Sequence, residues 1–340
     1  FTICHEDYHD KLINFLDSHW KKDHIFTKNK ELLDWQHKNE NGHYNFIIAL
    51  DEKDKILGIF GFIPTSHFSE DLKEHHQSWM VIWKIRDDCQ LPGLGVGMLR
   101  YFNKLKGFDT VCAVGLSEAV KPLYKILKYE VGVLRHFVLF NRQLTSYKFV
   151  DPPALISCNL DSSNFKIEEM NEESLNALDI EDVRRLFFRH PIKDIKYLIN
   201  RFLRHPVYQY KVFSIKTQSG SVLTLFSTRF IYVKNTTIAR VVDFQGESLL
   251  SDFYNSVLID WVAEMKIEYV DVMFYEENWE LPSESCFIDI KDHEDLVIPN
   301  YFEPLVMKNV PLDFAFKTKK NGIFSIFKGD SDQDRPNIVP

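Results

Sequence analysis

Several features are scarce in this chain, and each scarcity excludes a class of protein. Its 340 residues include only five cysteines, with no Cys-x-x-Cys pair, which speaks against a zinc site and a disulfide framework. No apolar run approaches the roughly 20 residues that cross a bilayer. The 41 Lys and Arg are outnumbered by 49 Asp and Glu, which disfavours binding to nucleic acid or to an anionic membrane. We therefore expect a cytoplasmic protein that binds neither nucleic acid nor membrane and holds no metal ion.

Glycine is also scarce, yet three glycines fall within five residues. Gly93, Gly95 and Gly97 are three of only 13 glycines; they follow the strand-like run SWMVIWKI and precede the helix-like run MLRYFNKLKG. Glycine lets a backbone approach a ligand closely. The first N–H groups of a helix are unpaired and attract anions. The pattern predicts a main-chain phosphate cradle or, if no ligand binds, a plain strand-to-helix turn.

The spacing around these glycines separates three kinds of phosphate loop. A nucleoside-triphosphate loop needs Lys-Ser/Thr after its last glycine, whereas Met98 and Leu99 follow here. A dinucleotide loop needs its third glycine one residue later and a place after the first strand. The third pattern is Gln/Arg-x-x-Gly-x-Gly/Ala, and Gln90, Gly93 and Gly95 meet it at every fixed position. This pattern resembles the pyrophosphate-binding loop of the GNAT superfamily of acyl-CoA N-acyltransferases.

The elements around the loop extend this resemblance over about residues 10–142. In that family a strand and a tyrosine-bearing helix follow the loop. Here FDTVCAVGL is typical of a buried strand, and SEAVKPLYKILKYEVG predicts a helix beginning at Ser117. Tyr124 stands where the family has its catalytic acid, although Pro122 and the Lys128–Tyr129 pair depart from the pattern. The run VLRHFVLFNR is predicted to be the strand that completes this half.

A segment rich in Pro, Ser and Asn divides the chain. It predicts a linker at residues 146–164 between an N-terminal domain, 1–145, and a C-terminal domain, 165–340. The second part repeats the order of helices and strands, but its turn DFQGESLLSD has a single glycine, Gly246. The fold class expected is therefore α/β (α+β), with two tandem GNAT-like domains, each a mixed central sheet flanked by helices. The second domain would be degenerate and would contribute the acceptor pocket.

The resemblance implies roles for particular residues. Tyr124 would protonate the departing sulfur as a general acid. The base stays open between Asp243, at the end of a strand, and the histidines His67, His75 and His76. Coenzyme A would bind to the main chain of the loop and of the splayed strand before it. The residues expected to bind it are Trp83, Lys84, Ile85, Gln90, Leu91, Gly93, Leu94, Gly95, Val96, Gly97 and Ser117.

The C-terminal run GDSDQDRPN has three alternating aspartates. A calcium loop needs glycine where Arg335 stands, so calcium is not expected. The run predicts either a solvated tail or a loop over the acceptor, in which carboxylates bind an ammonium group and Arg335 binds a phosphate. The residues expected to bind the acceptor are Arg240, Glu303, Asp330, Asp332, Asp334 and Arg335.

A narrower resemblance joins several runs. The helix pair INFLDSHWKKDHIF and LLDWQHK, the loop PGLGVG, the run IPNYFEP and the tail KGDSDQDRPN are together similar to tandem-GNAT nucleotide-sugar N-acyltransferases of bacterial surface-polysaccharide pathways. This implies acyl transfer from acyl-CoA to the amino group of a dTDP-3-amino-3,6-dideoxyhexose or a similar sugar, by a monomer or homodimer. Three alternatives stay open: an aminoacyl-tRNA-dependent peptidoglycan transferase, a non-catalytic CoA- or nucleotide-sensing pair, and a structural partner protein.

Overall fold

The computed structural model describes residues 1–154 and 164–337, which cluster into two compact units. The first unit consists of residues 1–131, 314–320 and the residues from 331 onward. The second unit consists of residues 132–313 and 321–330. The end of the chain therefore contributes to both units in turn. Residues 155–163 of the predicted linker lie outside the described residues.

The described residues form fifteen strands and nine α-helices. The strands are β1 (Thr2–Cys4), β2 (Tyr44–Leu50), β3 (Ile56–Pro64), β4 (Gln77–Ile85), β5 (Thr110–Val114), β6 (Glu130–Val133), β7 (Arg135–Phe140), β8 (Phe165–Met170), β9 (Tyr210–Thr217), β10 (Val222–Val233), β11 (Thr236–Gly246), β12 (Tyr269–Glu276), β13 (Ile288–Asp289), β14 (Asp313–Thr318) and β15 (Ser325–Phe327). The helices are α1 (His9–Phe15), α2 (Ile25–Lys28), α3 (Lys30–His37), α4 (Leu94–Lys106), α5 (Lys121–Ile126), α6 (Glu172–Asn176), α7 (Ile180–Leu186), α8 (Ile195–Leu198) and α9 (Asn255–Glu264).

The first unit is built on a seven-stranded sheet in the order β1-β2-β3-β4-β5-β14-β6. Its strand β2 is buried along almost its whole length, which is typical of a strand covered on both faces. On one face, Phe102 of α4 packs between Phe60 and Phe62 of β3, with ring centroids 5.1 and 5.4 Å apart. This packing holds α4 against β3.

The second unit is built on an eight-stranded sheet. Seven of its strands follow the order β13-β7-β12-β11-β10-β9-β8, and β15 pairs with β12. Trp261 of α9 packs edge-on against Phe213 and Phe226 of β9 and β10, with ring centroids 5.2 and 5.5 Å apart. As in the first unit, one parallel strand pair, here β11 with β12, lies within the sheet.

One strand prediction is corrected. The run that was expected to complete the first half is β7, which instead pairs with β12 and β13 of the second sheet. In the first sheet, the place beside β5 is taken by β14, whose Ala315 lies opposite Ala113. An apolar strand packs equally well in either sheet, so its sequence does not specify its partner.

The cysteines and the helices can be compared with the expectations drawn from composition about disulfides and membrane spans. Cys4, Cys89 and Cys112 are not disulfide-bonded. Cys286 is disulfide-bonded, a single bond that the scattered cysteine pattern did not predict. Within residues 1–154 and 164–337, no helix combines the length and the apolar character that crossing a membrane requires.

Candidate active site

The glycine loop forms a left-handed turn directly before α4. Gly93 is the residue before the helix, with a φ of +78° and no atom within 4 Å of where a Cβ would stand. The Gly97 N–H bonds the Gly93 carbonyl at 2.9 Å, which closes the first turn of the helix. The Leu94 N–H donates to the Leu91 carbonyl at 3.4 Å, whereas the amides of Gly95 and Val96 have no acceptor within the helix. The positive end of a 13-residue helix thus points at the loop, as an anion site requires.

The other two glycines allow close packing. A Cβ on Gly95 would lie 3.2 Å from the edge of the Trp83 indole, and one on Gly97 would lie 3.1 Å from the Phe1 ring. Trp83 and the loop are thus adjacent, as the sequence predicted. The three glycines therefore have two functions: Gly93 permits the turn, and Gly95 and Gly97 let the first helical turn approach Trp83 of β4 and Phe1, respectively.

Two acidic residues beside the loop are neutralised by neighbours. Asp87 accepts a hydrogen bond from Lys84 at 2.5 Å, and Asp88 accepts two from Arg86, at 2.9 and 2.5 Å. The bond from Arg86 lowers the pKa of the Asp88 carboxyl. Such exposed pairs add little stability. They do reduce the negative field that would otherwise repel a phosphate bound at Gly93.

The strand before the loop diverges from its parallel neighbour. The pairing of β4 with β5 runs from Gln77–Thr110 to Met80–Ala113 and then stops, whereas β4 continues along β3 to Ile85. Between Met80 and Trp83 one extra residue is inserted in β4 opposite β3, which is a β-bulge. A gap therefore opens beyond Met80, widens toward the glycine loop, and has Trp83, Lys84 and Ile85 along one edge.

Tyr124 lies beside the closed end of this gap. Its side chain is buried, its hydroxyl is 3.9 Å from the Met80 sulfur, and its ring meets those of Trp83 and Tyr129. Burial raises the pKa of the Tyr124 phenol, and Tyr129 adds to the effect. The hydroxyl therefore stays protonated at neutral pH and can donate a proton but cannot accept one.

The helix that carries Tyr124 begins later than predicted. It starts at Lys121, with Pro122 in its first turn, and the residue before the helix is Val120. Proline is tolerated there because the first N–H groups of a helix need no acceptor within it. Ser117 lies in the preceding loop, exposed, where its carbonyl accepts the Val120 N–H at 3.2 Å. The predicted N-cap is therefore wrong.

The start of the aspartate-rich tail is buried in the first unit. Ser331, Asp332 and Asp334 are each at most 4% exposed, so the expectation of a solvated tail fails for this stretch. Asp332 accepts hydrogen bonds from Arg335 at 2.7 Å and from Gln333 at 3.1 Å. Both of its oxygens are therefore engaged within the chain.

The remaining predicted residues lie in the second unit and pair there. Arg240 donates to Asp271 at 2.5 Å and to the carbonyls of residues 299 and 300, so it is not the partner of Asp243. Glu303 accepts a hydrogen bond from the Tyr208 hydroxyl at 2.7 Å. The structure thus places Tyr124, the loop, Asp332, Asp334 and Arg335 in one unit and Arg240, Asp243, Glu303 and Asp330 in the other.

Of the alternative bases, His67 is held by the fold. Its Nε2 donates to the Trp35 carbonyl at 2.7 Å, which fixes the tautomer, and its Nδ1 lies 3.4 Å from the Asn45 amide. The partly buried His75 and the exposed His76 end a short turn before β4, in which His76 has a φ of +49°. The His76 carbonyl accepts the N–H groups of Asp109 and Thr110. The contacts of His67 thus join it to α3 and β2, and those of His76 position the start of β5.

The sequence missed a buried ionic cluster in the second unit. Lys193 is 2% exposed and pairs with two carboxylates, Asp243 and, at 2.8 Å, Asp330. Gln245 donates to the other oxygen of Asp243 at 2.7 Å, and the Phe327 N–H donates to Asp330 at 2.8 Å. A single lysine in a loop carries no pattern that would reveal this cluster.

Residues 325–329 fill the gap between β11 and β12 in the second unit. The parallel pairing of β11 with β12 ends at Val241–Val272. Beyond it, β15 pairs with β12, the Lys328 N–H bonds Met273 at 3.0 Å, and the Gly329 N–H bonds Val242 at 2.8 Å. A Cβ on Gly329 would lie 2.6 Å from the Val242 carbonyl oxygen. The chain itself therefore occupies the place where a ligand could pair with β11.

The buried cluster predicts a pH-dependent stability. Burial raises the pKa of Asp330 to about 6, and Asp243 adds to this while Lys193 opposes it. Because this folded pKa lies above the unfolded value, the protonated carboxyl favours folding below pH 4 and the benefit is lost as the pH rises through 6. The loss is about 3 kcal/mol. We expect Asp330→Asn to raise the free energy of unfolding by roughly 1–3 kcal/mol at pH 7 and by nothing at pH 4.

Urea unfolding of wild type and Asp330→Asn at pH 4, 5, 6 and 7 measures this difference. Asp260→Asn, at an exposed position of α9, is the matched control and should not change the pH profile. A wild type and an Asp330→Asn variant that lose stability in parallel between pH 5 and 7 would contradict the ionic assignment.

Comparison with solved structures identifies the fold. The chain is similar to a GCN5-related N-acetyltransferase from Anabaena variabilis ATCC 29413 (TM-score 0.55, 11% identity), with 93% of this chain and 71% of that chain covered. It is likewise similar to a GCN5-related N-acetyltransferase from Kribbella flavida (TM-score 0.55, 10% identity, 93% and 70% covered). A conserved protein of unknown function from Enterococcus faecalis V583, a probable N-acyltransferase, gives a TM-score of 0.53 at 9% identity, with 92% and 71% covered.

These similarities establish the class of fold. The chain is a mixed α/β protein of two tandem GNAT-like domains, as the sequence predicted. No family model matches the sequence, and no curated protein is significantly similar to it.

Proposed function

We propose that the chain transfers an acyl group from acyl-CoA to an amine, and that it does so in the first unit. One observation carries this proposal: the gap between β4 and β5 opens onto the left-handed turn at Gly93 and closes beside Tyr124. A long thioester with an anionic end fits such a gap, with its diphosphate at the helix N-terminus and its sulfur near the phenol. The second unit's gap is filled by the chain itself, so we expect one acyl-CoA per chain.

Each step of the transfer then has a group to assist it. The amides before Gly97 bind the diphosphate, and the edge of β4 from Trp83 to Ile85 bonds the amide groups of the pantetheine arm. A main-chain N–H at the bulge after Met80 polarises the thioester carbonyl, which is stabilisation by a preorganised donor. As the C–N bond forms and the C–S bond breaks, the nitrogen loses one proton to solvent and Tyr124 donates one to the sulfur; the phenolate then regains a proton from solvent.

For the acceptor we propose the amino group of a nucleotide-linked amino sugar such as a dTDP-3-amino-3,6-dideoxyhexose. The support is the combined sequence resemblance of the loop PGLGVG, the run IPNYFEP and the tail KGDSDQDRPN. Among the predicted acceptor-binding residues, Glu303 keeps about a third of its side chain exposed, whereas Arg240 and Asp332 are buried and engaged by other residues.

Calorimetric titration with CoA tests the proposal, with two substitutions at Gly95. Gly95→Ala adds only a Cβ against Trp83, which has to shift by a few tenths of an ångström, so we expect a modest loss of affinity. Gly95→Asp adds the same Cβ and a negative charge at the helix N-terminus. We expect it to weaken CoA binding by roughly 100-fold, about 2.7 kcal/mol, while cooperative unfolding is retained.

Thiol release with dTDP- and UDP-linked amino sugars then tests catalysis. Release with a nucleotide amino sugar would support the proposed acceptor. Tight CoA binding without release for any amine would favour the non-catalytic sensing alternative. If wild type did not bind CoA even at millimolar concentration, or if Gly95→Asp bound it as well as Gly95→Ala, the loop would be a structural turn.

A further inference from the structure

The gap in the first unit has a direction. It is open at the glycine loop and closed at the last paired residues of β4 and β5, Met80 and Ala113. A thioester with its diphosphate at Gly93 therefore extends inward, and its acyl group is the part that reaches furthest toward the closed end. Whatever stands at that end limits the length of the acyl chain.

The start of the aspartate-rich tail lies across that end. The Ser331 hydroxyl donates to the Met80 carbonyl at 3.4 Å, and the Gln333 side-chain amide donates to the Val114 carbonyl at 3.0 Å. Met80 is the last residue of β4 to pair with β5, and Val114 is the last residue of β5. Residues 331–333 thus bridge the two strands where they diverge.

The Gln333 side chain is seated on a glycine. A Cβ on Gly115 would lie 2.4–2.6 Å from three atoms of the Gln333 side-chain amide, so only glycine leaves room for it. Gly115 also has a φ of +82°, which other residues rarely adopt. The amide group is therefore held flat against the backbone at the end of β5.

Contacts of Asp332 and Arg335 also hold the start of the tail in place. Arg335 donates to the Asp332 carboxylate at 2.7 Å, to the Asp332 carbonyl at 2.8 Å and to Nε2 of His24 at 3.0 Å. Burial and the nearby Arg335 lower the pKa of His24 to about 3, so the imidazole stays neutral and accepts this bond at physiological pH. The segment is thus tied to the unit on both sides of Gln333.

We propose that Gln333, held against Gly115 at the closed end of the gap, sets the length of acyl chain that the chain accepts and restricts it to short acyl groups. This inference rests on the proposed function, because it takes the gap to be the acyl-CoA site. Gln333 acts by occupying space, so its size matters more than its polarity. Shortening the side chain should lengthen the accepted acyl chain, whereas an apolar side chain of equal length should not.

Calorimetric titration with CoA, acetyl-CoA, butyryl-CoA and hexanoyl-CoA tests this inference without an acceptor. We expect wild type to bind hexanoyl-CoA at least ~10-fold more weakly than acetyl-CoA, since a closed pocket discriminates by roughly that factor per methylene. Gln333→Asn, one methylene shorter, should bind butyryl-CoA more tightly than wild type does. Gln333→Ala should bind butyryl-CoA about as tightly as acetyl-CoA, and hexanoyl-CoA more tightly than wild type does. Gln333→Met should discriminate like wild type, and so should Gln218→Ala, a control at an exposed glutamine of the other unit.

The outcomes separate this inference from the proposed function. Unacylated CoA reports whether each variant still folds and binds, and its affinity should not change. If all variants bound CoA and all kept the wild-type preference for acetyl-CoA, Gln333 would not limit the acyl length. The proposed acyl-CoA site would be unaffected by that result. If wild type bound neither CoA nor any of the three thioesters, both proposals would be contradicted.

Discussion

Replacing Tyr124 with phenylalanine should slow acyl transfer by roughly 10²–10⁴-fold and leave CoA binding unchanged. The phenol is buried, with its hydroxyl 3.9 Å from the Met80 sulfur, so phenylalanine fills the same space and loses only one weak contact. The raised pKa of Tyr124 means that the group is protonated when the thiolate departs. Without it, the sulfur must leave as an unassisted anion, which raises the barrier of that step by about 3–5 kcal/mol.

Tyr129 provides the matched control for this experiment. It lies 5.1 Å from Tyr124, ring to ring, is also buried, and burial raises its pKa to about 12. Tyr129→Phe should retain most of the turnover, because this hydroxyl is hydrogen-bonded to Asn103 of α4. Thiol release is measured with the best amine of the panel and with water as the acceptor. Equal rates for Tyr124→Phe and Tyr129→Phe would make Tyr124 a packing residue.

The cradle could be predicted because its determinants are local. Gly93 needs a left-handed φ, the helix begins one residue later, and the apolar run of β4 precedes it, all within 20 residues of sequence. Local steric rules and the unpaired amides of a helix N-terminus depend on no distant partner. The loop pattern therefore led to the observed turn directly.

That β7 joins the second sheet and β14 the first could not be predicted in this way. Strands β7 and β14 both have apolar residues suited to a buried sheet, and nothing in either run specifies which sheet it joins. Their pairing is decided by contacts between residues as far apart as Ala113 and Ala315. Strand propensity reports how well a residue fits a pleated surface but carries no information on which strand lies beside it.

The length expected for α9 is wrong for a related reason. By its periodicity alone the amphipathic run SLLSDFYNSVLIDWVAEMK predicts one long helix, whereas α9 spans only Asn255–Glu264. The preceding residues form a turn in which the Tyr254 hydroxyl donates to Glu247 at 2.7 Å. A side chain that finds a partner outside the helix can outweigh the small helix propensity of a few residues.

The cluster around Lys193 gives the largest expected effect on stability. Lys193→Met should lower the free energy of unfolding at pH 7 by roughly 3–5 kcal/mol, because it leaves two carboxylates buried without their cation. Methionine is close to lysine in volume, so the loss comes from charge rather than from a cavity. It is a large part of the 5–15 kcal/mol that a typical protein has. Lys196→Met, at an exposed position of α8, should change stability by less than about 0.5 kcal/mol.

A rescue experiment separates charge from packing at this site. Adding Asp330→Asn to Lys193→Met leaves one buried carboxylate, Asp243, which still accepts a hydrogen bond from Gln245 at 2.7 Å. The double variant should therefore recover a substantial part of the loss at pH 7. The single variant should also recover as the pH falls toward 4, since its carboxylates can then be protonated at less cost. A loss from Lys193→Met that neither Asp330→Asn nor acid pH relieves would mean that the lysine stabilises the fold through its methylene chain, and that the ion pairs with Asp243 and Asp330 contribute nothing measurable.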